Sequence, residues 1–158
     1  MFSLFKKKKI EIGSPCKGKT ISLKEVNDPT FAEEMMGKGV AVKPEENKIY
    51  SPVDGTITVA FPTLHALGLQ TETGVEILLH VGIDTVNLKG EGFTSHVKQG
   101  EAVKKGDLLL EANLDTIKKA GYDDTIMVVI TNTPSFRSID PITSKEVNVK
   151  DTILELEK

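Results

Sequence analysis

No apolar stretch in this chain is long. Hydrophobic residues come in runs of a few positions, each bounded by Gly, Pro, Asp or Asn, and the runs are rich in Val, Ile and Thr. Those three β-branched types supply more than a quarter of the residues. They are stiff at χ1 and fit a pleated surface better than a helix. The pattern predicts strands over 9–12, 20–23, 40–43, 56–61, 75–81, 108–112, 126–131 and 146–156. Runs this close together, with turn residues between, call for an all-β fold: an antiparallel β-sandwich or flattened barrel. Two helical turns interrupt it. Asp28 can cap one opening at Pro29 and running through PTFAEEMM, and Asn113 can cap LDTIKKA, closed by Gly121.

The 158 residues amount to one ordinary domain, long enough to bury a core without disulfides. Net charge is −3, which argues against a nucleic-acid binder. No run approaches the roughly 18 apolar residues of a membrane span. The N-terminus places Phe2, Leu4 and Phe5 before Lys6–Lys9, the reverse of a secretory signal, so a cytoplasmic protein is expected. Residues 1–9 are expected to be a mobile basic tail, with 10–158 a single domain. Each tail lysine could gain about 1 kcal/mol beside an anionic leaflet, a weak membrane-surface contact. Cys16 is the only cysteine, so neither a disulfide nor a cysteine-based zinc site is open to the chain. Gly100-Glu-Ala-Val-Lys-Lys-Gly106-Asp107 resembles a turn of biotinyl and lipoyl carrier domains. It lacks their Met-Lys-Met or Asp-Lys-Ala attachment tripeptide and is expected to be a compact β turn.

Chemistry concentrates in FPTLHALGLQTETGVEILLHVGID, residues 61–84. Two apolar arms flank Thr71-Glu-Thr-Gly74, which fits a type I turn with Gly74 left-handed. With Glu72 and Thr73 at the tip, His65 faces His80 across neighbouring strands, Cβ atoms about 5 Å apart. A bulge at Gly74 would shift the register by one and leave a diagonal pair within reach. Alternation sends Val75, Ile77, Leu79 and Val81 to the core face. Phe61, Thr63, His65, Leu78 and His80 then share the outer face, an apolar patch around two histidines and a candidate docking surface. His96, with no partner in the pattern, is expected at the surface.

A neutral imidazole is a good nucleophile near neutral pH. It can carry a phosphoryl group on one nitrogen while a hydrogen bond holds the other, with a second imidazole donating to the phosphate and a Thr hydroxyl fixing that second ring. Alternatively, two histidines and a carboxylate could bind zinc and activate a water for hydrolysis.

The run HVGIDTVNLKGEGF, residues 80–93, strongly resembles the active-site signature of the glucose-type enzyme IIA family of the bacterial phosphoenolpyruvate-dependent sugar phosphotransferase system. FAEEMMGKGVAVKP, SPVDGTITVAFPTLHALGL and AGYDDTIMVVITN resemble its other segments, in order, over essentially the whole chain from Ile10. The resemblance implies an antiparallel β-sandwich. It implies that His80 accepts a phosphoryl group on Nε2 while the backbone carbonyl of Gly82 holds Nδ1. His65 would stabilise that group, oriented by Thr63, with the Asp84 carboxylate beside the site. Implied partners are the phosphocarrier HPr as donor and a cysteine on the IIB domain of a sugar permease as acceptor, with regulatory protein targets as an added role. The relay requires no cofactor, although the two histidines could take up incidental zinc. The chain departs from the usual family pattern at Lys38, Leu64 and Ile126-Met127, none of them a catalytic group. The opening Met1 and lysine tail suggest a free-standing IIA unit. A zinc hydrolase of the lysostaphin type shares a related β core but needs a His-x-His pair, which is absent here. A binding-only regulator would have no need of His80 as a nucleophile. Sugar specificity is expected to reside in the membrane component.

Overall fold

The computed structural model describes residues 9–158. The expected membrane contact of the basic tail lies outside the described residues, Lys9 excepted. Strands dominate, in three sheets whose pairings are all antiparallel. The largest sheet runs β13 (Glu146–Val147), β2 (Gly18–Ile21), β3 (Lys38–Pro44), β11 (Ile126–Ile130), β7 (Glu76–Val81), β6 (Ala66–Gln70), β5 (Gly55–Ala60) and β9 (Ala102–Val103). A second joins β1 (Ile10–Gly13), β14 (Thr152–Glu157) and β12 (Ser138–Pro141), and a third joins β4 (Lys48–Tyr50), β10 (Leu108–Ala112) and β8 (Phe93–Ser95). This is the antiparallel all-β architecture that the short β-branched runs predict.

The main core lies between the large sheet and the two small ones. Val40, Val42, Leu67, Leu69, Ile77, Leu79, Val81, Ile126, Val128 and Ile130 meet Ile12, Leu154 and Leu156 from one small sheet and Ile49, Leu110 and Phe93 from the other. β3, β6, β7 and β11 each send alternate residues there, which is the period-two rule at work.

The opposite face of the large sheet differs from the expectation of an open outer surface. Ala41, Ala66, Leu78, Met127 and Val129 form a second apolar cluster on it with Leu23, Val26, Phe31 and Ile83. The covering segment runs from a 3₁₀ turn (Leu23–Glu25) into α1 (Pro29–Ala32). Ser22 and Glu25 close a capping box on the 3₁₀ turn. Asp28 accepts from the Thr30 N–H at 2.9 Å, with Pro29 at the first helical position. α1 is shorter than the expected PTFAEEMM because Glu34 adopts a left-handed φ of 57° and turns the chain. α2 (Leu114–Lys119) follows the expectation, with Asn113 Oδ1 accepting from Thr116 N–H and Gly121 left-handed at 88°.

The expected strand over 146–156 is split into β13 and β14 by a turn in which Lys150 is left-handed and Asn148 N–H donates to Asp151. The Gly100–Asp107 motif is a turn around buried Val103, with both flanking glycines at positive φ and Asp107 accepting from Lys104 N–H.

Candidate active site

Two hairpins build the site. The β6–β7 turn is one residue longer than a tip of Glu72 and Thr73 requires. Thr71 and Val75 close it through N–H to O at 3.0 Å and through Thr71 Oγ1, which accepts from Val75 N–H at 3.1 Å, with Gly74 at φ 87°. The strands therefore pair Gln70 with Glu76 and Ala66 with His80. The face-to-face register of the two histidines is corrected to the shifted one, with His80 opposite Ala66 on one side and Met127 on the other. His65 lies one residue ahead of β6, and its carbonyl accepts from Val81 N–H at 2.8 Å.

The 61–65 segment is likewise a turn, not a continuous strand arm, which corrects the alternation drawn through Phe61, Thr63 and His65. Leu64 N–H returns to the Phe61 carbonyl at 2.8 Å, and Leu64 sits at a left-handed φ of 61°. The reversal brings the Phe61 ring to 5.4 Å from that of His65 and places His65 5.0 Å from His80, the two imidazoles nearly perpendicular at 79°. A left-handed leucine is uncommon, so sequence alone does not announce this turn.

Backbone geometry sets the protons. His80 Nδ1 lies 2.8 Å from the Gly82 carbonyl oxygen. A carbonyl only accepts, so Nδ1 carries the hydrogen and Nε2 presents a bare lone pair. Gly82 is itself fixed: it is left-handed at φ 79°, and its N–H donates to the Thr125 carbonyl at 2.8 Å. Thr63 Oγ1 is 2.6 Å from His65 Nδ1. When the hydroxyl donates there, His65 carries its hydrogen on Nε2.

Both rings favour the neutral form. Burial pushes His80 down to about 4 and the neighbouring His65 pushes the same way, against the Gly82 hydrogen bond and the carboxylates of Asp28 and Asp84. Burial also lowers His65. Burial pushes the Cys16 thiol up to about 12, which removes it as a nucleophile. Asp84 is exposed and left-handed, where its strand leads into a 3₁₀ turn (Thr85–Leu88).

Asp28 and Phe31 are site residues that no local sequence pattern assigns to the histidines. The Phe31 ring centroid stands 5.0 Å from that of His80, tilted by 58°. The Asp28-Pro29 pair signals a helix start, but nothing local says that this helix lies on the His80 side of the sheet. Of the two candidate docking residues, Phe61 is 37% exposed and borders the pair. Leu78 is a correction: it shares the His80 side but is only 8% exposed, inside the cluster covered by α1. His96 is at the surface, as expected, but pairs with Glu111 at 2.9 Å. Among the described residues no group of three or more His, Cys, Asp or Glu is placed to hold a metal ion, and no helix is long and apolar enough to cross a membrane.

The sequence profile of the EIIA 1 family of the phosphoenolpyruvate-dependent sugar phosphotransferase system matches residues 10–136, and the chain belongs to that family. A glucose-specific EIIA component from Oceanobacillus iheyensis is 46% identical over 140 residues, covering 89% of this chain and 85% of that protein. A beta-glucoside-specific EIIBCA component from Dickeya chrysanthemi is 46% identical over 143 residues, covering 90% of this chain. The chain spans only 23% of that longer relative. Among solved structures, glucose permease IIA from Mycoplasma capricolum superposes with a TM-score of 0.86 at 40% identity, over 94% of this chain and 96% of that one.

Proposed function

We propose that the chain is a phosphocarrier that takes a phosphoryl group from the phosphohistidine of HPr onto His80 and passes it to a cysteine of a IIB domain. The observation that carries this reading is the tautomer of His80, with Nδ1–H committed to Gly82 and Nε2 left as the nucleophile. In the first step the Nε2 lone pair attacks phosphorus, the new N–P bond forms and the donor N–P bond breaks. In the second, a cysteine thiolate attacks phosphorus and the bond to Nε2 breaks. Nδ1 keeps its proton throughout, so neither step waits for one to move on this ring.

His65 serves both steps. Held by Thr63, it offers Nε2–H towards the oxygens of the transferring group, a donor set in place before charge develops. Asp84 and Asp28 provide negative charge that complements cationic groups on a docking partner. Phe61 offers the apolar contact at the rim. The EIIBCA arrangement named for relatives, in which IIA shares a chain with IIB and IIC, supports a IIB partner. Relatives are named for glucose, beta-glucosides and glucosamine, so the shared IIA sequence points to no one sugar.

The test is incubation with phosphoenolpyruvate, enzyme I and HPr, followed by mapping of the modified residue. Acid-labile phosphate on Nε2 of His80, lost in His80→Ala, is expected; label elsewhere overturns the assignment. His65→Gln should still accept the group but deliver it to IIB about 10²-fold more slowly.

A further inference from the structure

His80 is confined on two sides by rings. His65 stands on one, and Phe31 stands on another at the same centroid distance of 5.0 Å. The relay chemistry asks for no third ring. Phe31 also differs from its surroundings: every other buried member of its cluster, from Leu23 and Val26 to Met127 and Val129, is non-aromatic. Filling that space does not require a plane, whereas holding an imidazole in one orientation does.

The segment that delivers Phe31 is specified more closely than one helical turn needs. Asp28 caps it, Pro29 sets its first φ, and left-handed Glu34 ends it. The ring is 4% exposed, so it is no part of the accessible docking surface.

We propose that Phe31 is a positioning residue for phosphoryl transfer: α1 holds its ring against His80, so that the imidazole cannot turn away from the Gly82 carbonyl and water is excluded from that side. This rests on His80 being the phosphoryl acceptor. Charged or titratable groups acting on His80 come from the α1 cap (Asp28), the loop ahead of β6 (His65) and the end of its own strand (Asp84). The neighbouring strands contribute Met127 and Ala66, which carry no charge. Phe31 therefore acts through packing and water exclusion.

The test compares Phe31→Leu, which keeps apolar bulk but no plane, with Phe31→Tyr, which keeps the plane. Phe31→Met is the second volume-conserving variant if Leu does not fold. Two readouts are taken: the rate of acceptance from phospho-HPr, split into kcat and KM, and the titration of the His80 ring by NMR. In Phe31→Leu, kcat should fall about tenfold with KM unchanged. The His80 midpoint should rise from about 4 towards 6.5. Phe31→Tyr should restore both. A wild-type kcat with an unmoved midpoint in Phe31→Leu overturns the proposal, as does a change confined to KM. If the wild type takes no phosphate from HPr, the phosphocarrier reading fails and the positioning role in transfer fails with it. The titration then reports separately whether Phe31 shields His80.

Discussion

Replacing Gly82 by Ala tests directly the geometry that the proposed function asks of His80. Gly82 is left-handed at φ 79°, where an L-residue costs about 1–2 kcal/mol. An added Cβ would stand 2.9 Å from the Asp123 carbonyl oxygen and press on the Thr85 methyl. Neither neighbour yields freely. The Asp123 carbonyl accepts from Ile83 N–H at 2.9 Å, and fully buried Thr85 donates its hydroxyl to the Val81 carbonyl at 2.5 Å. Weakening one such bond adds about 1 kcal/mol, so a destabilisation of about 2–3 kcal/mol is expected in urea unfolding. The same shift moves the Gly82 carbonyl off Nδ1 of His80. A hydrogen bond of about 1 kcal/mol amounts to about fivefold in an equilibrium, and its loss admits the tautomer with a protonated, non-nucleophilic Nε2. Acceptance from phospho-HPr, measured per folded molecule, should fall by up to about that factor. Gly121→Ala is the control. It is also left-handed, at 88°, but nothing lies within 4 Å of the added Cβ. It should cost about 1 kcal/mol and leave acceptance unchanged. If Gly82→Ala unfolds and accepts like the wild type, Gly82 does not hold the carbonyl and the tautomer of His80 is set elsewhere.

Acid should destabilise the fold through His80. Its folded pKa of about 4 lies below the ordinary 6.5, so the unfolded chain binds the extra proton between those values. The stabilisation is complete above pH 6.5 and lost as pH falls towards 4. The loss should be at most about 3 kcal/mol, read as the difference between wild type and His80→Gln in denaturant titrations at each pH. A parallel pH dependence in the two proteins would contradict the buried neutral imidazole. Leu78→Ala should cost about 2–4 kcal/mol in the same assay with KM for phospho-HPr unchanged, because its side chain fills the cluster beneath α1. Phe61→Ser should do the reverse, keeping the melting temperature and raising that KM.

Alternation makes the core face of β7 legible from the amino-acid order alone. Ile77, Leu79 and Val81 point where the period-two rule sends them. The same rule cannot say what covers the other face. Every residue of β11 is buried because the 22–36 segment crosses the second face, and that contact depends on packing between parts of the chain far apart in sequence. β4, β8 and β9, at two or three residues each, are too short to show a period. The boundary between β5 and β6 is hidden in the sequence because nothing marks Leu64 as a turn residue. The two histidines stand out because paired imidazoles and a signature run are local features. Asp28 and Phe31 do not, because a helix brings them from elsewhere.

The large sheet ends on both sides in strands of only two residues, β13 and β9. At one end of the second sheet, β12 closes on Pro141, which has no N–H to donate. At the other end, the Gly13 N–H of β1 is occupied by the Pro52 carbonyl. A phosphocarrier of the proposed kind must meet one protein, let go and meet another. Long open edges would let copies zip together through their backbones, a contact that needs no particular side chains and is slow to reverse. Short or blocked rims on these two sheets work against such zipping and, in the proposed relay, leave docking to the face around the histidines.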